Sequence, residues 1–217
     1  MNYELGDKMN LKEEFIKLGY TEDDYNEIRN SYALINIKDE TISMHLKDIF
    51  TFFLECGYTK EEVIKITKIL PAIYGLSIEN MKQKIVDIMD LGYTKEEVIK
   101  MTKILPAIYG LSIENMKQKI ADIMDLGYTR EEVIKITKTF PSIYSYSIEN
   151  MKQKIADVMD LGYTKEEVIK MTKTLPTLYG LSIENMKQKI VDIMDLGYTK
   201  EEVIKMTKTL PQIYSLS

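Results

Sequence analysis

Lysines recur in this chain at a spacing suited to a polyanion. Lys65 and Lys68, Lys100 and Lys103, Lys135 and Lys138, Lys170 and Lys173, and Lys205 and Lys208 stand three apart in pairs that repeat every 35 residues. On a helix that spacing places both ammonium groups in one quadrant. Stacked copies would line up a ribbon able to track the phosphates of DNA or RNA, with an affinity that falls steeply with salt as counterions are released. A plainer role stands beside it: Glu61 precedes Lys65 by four residues, and such pairs commonly support a solvated helix.

Two further positions vary where the copies otherwise barely differ. Two residues before a recurring proline stand Ile69, Ile104, Thr139, Thr174 and Thr209; one residue after it stand Ala72, Ala107, Ser142, Thr177 and Gln212. Modular base readers vary one or two residues per repeat, so this pair is the candidate for facing a ligand, with drift at tolerant surface positions as the alternative. Ten tyrosines fall on two rows beginning at Tyr58 and Tyr74. They could stack on unpaired bases if exposed, but beside a glycine turn or a proline the expectation is packing between units with the hydroxyl at the rim.

Catalysis finds no support. The chain has one His (His45), one Cys (Cys56) and no Trp, so one chain cannot assemble a His/Cys metal site or a disulfide framework. No nucleophile or carboxylate arrangement surrounds His45, and Cys56 reads as a small buried residue at the end of an aromatic run. Walker and Rossmann glycine loops are absent, and the repeated carboxylates form rows where an active site needs a singular constellation. No enzyme activity, cofactor or metal is expected.

The elements that position these residues follow from the repeat. Pro71, Pro106, Pro141, Pro176 and Pro211 are each 35 residues apart, as are Gly57, Gly92, Gly127, Gly162 and Gly197. In each unit Thr59-Lys60-Glu61-Glu62 and its copies form a capping box that starts helix one. Val63, Ile66, Thr67 and Leu70 lie on one side of it, and Pro71 ends it because proline lacks an N–H and disfavours helix at the residue before it. Ser77 is the second N-cap, after which Ile78, Met81, Ile85, Ile88 and Met89 make an apolar stripe. Glu79, Asn80, Gln83, Asp87 and Asp90 take the opposite face, Lys82 and Lys84 flank the stripe, and Gly92 ends the helix. Neither helix can bury its stripe alone, so neighbouring units must stack.

Three segments result: residues 1–56, an acidic N-terminal cap that includes a diverged repeat at 19–56 with Ala33 at the proline position; residues 57–196, four 35-residue repeats; and residues 197–217, a partial C-terminal repeat. The net charge of −5 over 217 residues belongs to the cap, whose balance is −6, while each full repeat is neutral. No apolar run is long enough to span a membrane, and the acidic start reads as neither a signal nor a transit peptide. Ile, Lys, Tyr, Asn and Met are abundant at the expense of Arg, the composition of an AT-rich genome, and a cytoplasmic, bacterial-type location is expected.

Proline followed by apolar residues three, ten and seventeen positions later (Pro71, Tyr74, Met81, Ile88), with an L-G-Y-T-K-E-E-V opening and an S-I-E-N-M-K-Q-K-I second helix, resembles the repeat of the mitochondrial transcription termination factor (mTERF) family. The pattern recurs from Pro106, Pro141 and Pro176. The resemblance implies an all-α, right-handed-type helical-repeat solenoid of 35-residue two-helix units with a short 3₁₀ turn, an mTERF-like superhelix whose members typically bind DNA or RNA along the concave face. The resulting expectation is a non-catalytic nucleic-acid-binding protein that acts in transcription or RNA regulation. The competing class is a protein-interaction solenoid serving as scaffold, effector or immunity protein.

Overall fold

The computed structural model describes residues 10–216; the first nine residues of the acidic cap and Ser217 lie outside the described residues. Every regular element described is helical. The chain divides into two compact units, residues 1–113 and 114–217.

The first unit holds α1 (Leu11–Leu18), α2 (Glu22–Arg29), α3 (Asp39–Glu55), α4 (Lys60–Ile69), a 3₁₀ turn at Pro71–Gly75, α5 (Ile78–Met89), α6 (Lys95–Ile104), a second 3₁₀ turn at Pro106–Gly110, and the first residue of α7 (Ile113–Asp125). The second unit continues α7 and adds α8 (Arg130–Thr139), α9 (Ile148–Met159), α10 (Lys165–Thr174), α11 (Ile183–Met194) and α12 (Lys200–Thr209), with 3₁₀ turns at Pro141–Ser145, Pro176–Gly180 and Pro211–Ser215.

Local chemistry sets these boundaries. At the start of α4 the Glu62 amide donates to Thr59 Oγ1 at 3.2 Å and the Thr59 amide donates to Glu62 Oε2 at 2.9 Å, so two orphan donors are satisfied reciprocally. The same box opens α2, α6, α8, α10 and α12. Helix one ends at Leu70, whose φ of −129° and ψ of 69° leave the helical region ahead of Pro71. Ser77 accepts from the Asn80 amide to start α5, and Gly92, at φ 111°, supplies the left-handed turn that a side chain would strain.

The first 18 residues contribute a helix that the repeat pattern left unassigned. Asn10 caps α1 by accepting from the Glu13 amide, and α1 closes on the left-handed Gly19 as each second helix closes on its glycine. It therefore takes the place of a second helix ahead of the diverged repeat. That repeat has Arg29 at the register of Thr67, and the guanidinium organises the turns that replace the proline segment. Its Nη1 and Nη2 donate to the carbonyls of Leu34 (2.9 Å) and Ile37 (3.2 Å), and its Nε to Asp39 Oδ1 (2.8 Å).

Val63 and Ile66 of helix one and Met81, Ile85 and Ile88 of helix two are buried, and their copies at Val98, Met101, Met116, Ile120 and Ile123 repeat the pattern. Met89 departs from the expected stripe: it is 38 % exposed, as are its copies Met124, Met159 and Met194 to within a percentage point, because it lies about 100° round the helix from the buried Ile88.

Candidate nucleic-acid interface

Helix one carries its lysines on two different surfaces. Lys65, Lys100, Lys135, Lys170 and Lys205 are exposed, and none has an ion pair among the described residues. Lys68, Lys103, Lys138, Lys173 and Lys208 are half-buried, and Lys68, Lys103, Lys173 and Lys208 face the preceding helix one. Lys68 Nζ lies 2.7 Å from Asp24 and 3.0 Å from Glu27. Lys103 meets Glu62 at 2.8 Å, Lys173 meets Glu132 at 2.6 Å, and Lys208 meets Glu167 at 2.8 Å; Lys138 is partnered as well. The ten lysines thus separate into a free row and a row whose charge is matched.

Asp24, Glu62, Glu132 and Glu167 are each the last residue of the capping box one repeat earlier, so one carboxylate closes its own helix start and holds the next repeat's lysine. Both contacts favour the ionised form. The hydrogen bond from Lys68, reinforced by those from Thr21, holds Asp24 at about 2. Hydrogen bonds from Lys103, Lys173 and Lys208, followed by those from the capping threonine amides, likewise lower Glu62, Glu132 and Glu167. Lys68 is raised by the hydrogen bonds to Asp24 and Glu27.

Along the axis of α4, Glu61, Lys65 and Ile69 follow at i, i+4 and i+8, one above another, and all three are exposed. Ala72, just past the proline, is exposed too. Of the proline-flanking positions, Ile69 and Ile104 are 60 % and 57 % exposed, and Thr139, Thr174, Thr209, Ala107 and Thr177 are also exposed, whereas Ser142 and Gln212 are half-buried. The three threonines fold their hydroxyls back onto their own helices; that of Thr139 donates to the Ile136 carbonyl at 3.0 Å and that of Thr209 to the Lys205 carbonyl at 3.0 Å. Where successive first helices meet, shallow clefts open beside the free lysines. One of about 430 Å³ is walled by Glu27, Glu61, Ile64, Lys65 and Ile69, and one of about 540 Å³ by Leu161, Lys200, Glu201, Ile204 and Lys205.

The tyrosine rows are interior, with the exception of Tyr198, which is 47 % exposed. Their hydroxyls do not reach a rim. Tyr20 Oη lies 3.0 Å from Thr67 Oγ1 and 2.8 Å from Tyr74 Oη, and Thr67 Oγ1 lies 3.0 Å from the carbonyls of both Val63 and Ile64. A carbonyl can only accept, so the Thr67 proton goes to the backbone, the Tyr20 proton to Thr67 and the Tyr74 proton to Tyr20, which leaves no donor unused. Tyr58 reaches Thr102 at 2.5 Å, Tyr128 reaches Thr172 and Tyr179, and Tyr163 reaches Thr207 and Tyr214. Burial pushes the Tyr58 phenol up to about 12 and Tyr74 well above its usual value. These side chains are not base platforms.

Helix two contributes a strut that charge patterning did not single out. Lys84 Nζ donates to the Leu111 carbonyl at 2.5 Å, Lys119 to the Tyr146 carbonyl and Lys154 to the Leu181 carbonyl at 2.5 Å. Each reaches the residue just after the next 3₁₀ turn. Lys82 stays exposed, and Gln83 donates to Asp87 at 2.7 Å on the acidic side. Outside the repeats, His45 Nδ1 donates to the Tyr74 carbonyl at 2.9 Å, a structural contact. Cys56 is a half-buried free thiol raised by burial. Among the described residues no group of three or more His, Cys, Asp or Glu side chains could hold a metal ion, and no helix is long and apolar enough to cross a membrane.

Paired helices, proline-nucleated 3₁₀ turns and a site repeated once per unit define an all-α helical-repeat protein of the solenoid class. The family model described as mTERF matches residues 17–126, 90–192 and 123–217. With nearly the whole chain covered, this protein belongs to the mTERF family, and membership supports a general nucleic-acid-binding role. No curated protein matches the chain.

Proposed function

We propose that the protein binds DNA or RNA by docking the phosphate backbone on the exposed lysines of helix one, Lys65, Lys100, Lys135, Lys170 and Lys205, and acts in transcription or RNA regulation from a cytoplasmic location. The observation that carries this reading is the division of the lysines: those facing a neighbouring unit have carboxylate partners, and those facing solvent have none. The proline-flanking pair, Ile69 with Ala72 and its copies, would contact bases beside that row. The protein-partner reading rests on Glu61 and its exposed copies, which set a negative row one helical turn from the positive one.

A mobility shift with duplex DNA, single-stranded DNA and RNA at ~50 mM salt, where phosphate contacts are strongest, tests the proposal. Retention of any of the three, lost on replacing the exposed lysines, is expected. No shift would transfer the case to a protein partner. Exchanging Gln212 for Ala and Ser142 for Thr and repeating the assay over an oligonucleotide panel tests the recognition pair; an unchanged preference sinks that part alone.

A further inference from the structure

The junction of α3 with α5 departs from the repeat at two positions that change its chemistry. Cys56 precedes Gly57 where Leu91, Leu126 and Leu161 precede their glycines, and Phe52 stands at the register of Asp122. Those three leucines are buried in their own units. Replacing Leu by Cys removes side-chain volume from a packed position, and replacing Asp by Phe removes a carboxylate. A cleft of about 290 Å³ lies at this junction, walled by Phe52, Cys56, Ile85, Val86 and Met89 and edged by Lys82, Lys95 and Glu55.

Its charge is not balanced. Lys82 and Lys95 are exposed and have no ion pair among the described residues; Glu55 is the one carboxylate in the lining of this cleft, and Asp48 and Glu79 share the adjoining cleft with Lys82. At the corresponding register of the second unit Lys152 and Lys165 are set against Asp122 and Asp125, so the charge cancels there. The repeat is its own control: the lining of this one junction combines an added aromatic wall, a thiol in place of a leucine and two lysines against one carboxylate.

We propose that this cleft binds a small anionic amphiphile, a short apolar tail bearing one carboxylate or phosphate, with the tail against Phe52, Ile85 and Met89 and the acid group between Lys82 and Lys95. The volume lies at the lower edge of the roughly 300–1,000 Å³ usual for small-ligand sites, which selects a short tail. An apolar floor with a few placed charges is the common composition of such sites, and the charge difference favours an anion over a neutral or cationic molecule of the same shape.

The thiol reports on occupancy, since Cys56 is the only cysteine. Its alkylation by the neutral reagent iodoacetamide would be timed on the full chain with decanoate, decyl phosphate, decanol or decylammonium present. At about ten times its Kd a ligand covering the thiol slows the reaction about tenfold; decanoate or decyl phosphate should do so, and the stronger of the two identifies the acid group. Lys82→Ala combined with Lys95→Ala should erase the advantage of the anions over decanol. Cys56→Leu, which installs the residue that the other units carry and so keeps the fold, should abolish the heat of decanoate binding. Equal protection by decylammonium, no protection by any anion, or undiminished decanoate binding in Cys56→Leu would overturn the proposal.

Discussion

Replacing Lys135, Lys170 and Lys205 by glutamine removes three of the five lysines of the row that begins at Lys65 and leaves every inter-unit ion pair in place. If only the exposed row meets phosphates, five contacts on duplex DNA give a slope of log K against log salt of about −4.5, whereas ten lysines would give about −9. Between 50 and 200 mM salt the first slope weakens binding roughly 500-fold and the second roughly 3 × 10⁵-fold. The triple variant should flatten the slope to about −1.8, or from about −3.5 to about −1.4 on a single strand. The matched comparison is Lys103, Lys173 and Lys208 to glutamine, which should leave the slope within a few tenths of the original because these ammonium groups already sit on carboxylates at 2.6 to 2.8 Å. Fluorescence anisotropy of one labelled oligonucleotide across a salt series measures all three proteins. A parent slope near −9, or equal flattening by the two triple variants, would refute the division into free and matched rows.

Two further outcomes follow from the interior and the cap. Thr67→Val keeps the shape of the side chain but strips the buried Tyr20 hydroxyl of its acceptor; urea denaturation should show a loss of about 1–3 kcal/mol, while Thr67→Ser, which keeps the hydroxyl, should cost markedly less, and equal losses would mean that packing alone matters. Asp24, held at about 2 by Lys68 and Thr21, lies below the ordinary aspartate value of about 3.9. Its contribution to stability is therefore complete above the unfolded value and lost as the pH falls toward about 2. The urea midpoint should decline more steeply between pH 4 and pH 2 in the parent than in Asp24→Asn, and parallel declines would show that the ion pair is irrelevant to acid unfolding.

Local rules made most of the fold legible. The capping threonines, the prolines and Gly92 each act through their own backbone neighbourhood, so a single strand of text contains the whole argument for where helices start and stop. The lysines were legible as a helix quadrant, but the difference between Lys65 and Lys68 was not. It depends on which side of helix one meets the previous unit, and a three-residue spacing carries no information about a contact 41 or 44 residues away, such as Lys103 with Glu62 or Lys68 with Asp24. The tyrosine hydroxyls were misplaced at a rim for the same reason. The one available signal was Thr67 and its copies, polar residues recurring at an apolar register, which a buried hydroxyl network requires. Helix α1 escaped notice because it lies ahead of residue 19, where the repeat pattern begins. Phe52 and Cys56 stand in plain view as departures, but the cleft that they line needs α5 in place.

The hydroxyl relay at each junction has a consequence for how such a chain can change its length. Tyr58 finds Thr102 by the same offset at which Tyr128 finds Thr172 and Tyr163 finds Thr207. Recombination between two copies of the coding repeat that adds or deletes a whole 35-residue unit returns every tyrosine to an identical threonine. A gain or loss of any other length strands a buried phenol. Variants that differ by whole units thus keep each such tyrosine 44 residues ahead of its threonine, whereas intermediate lengths break that spacing.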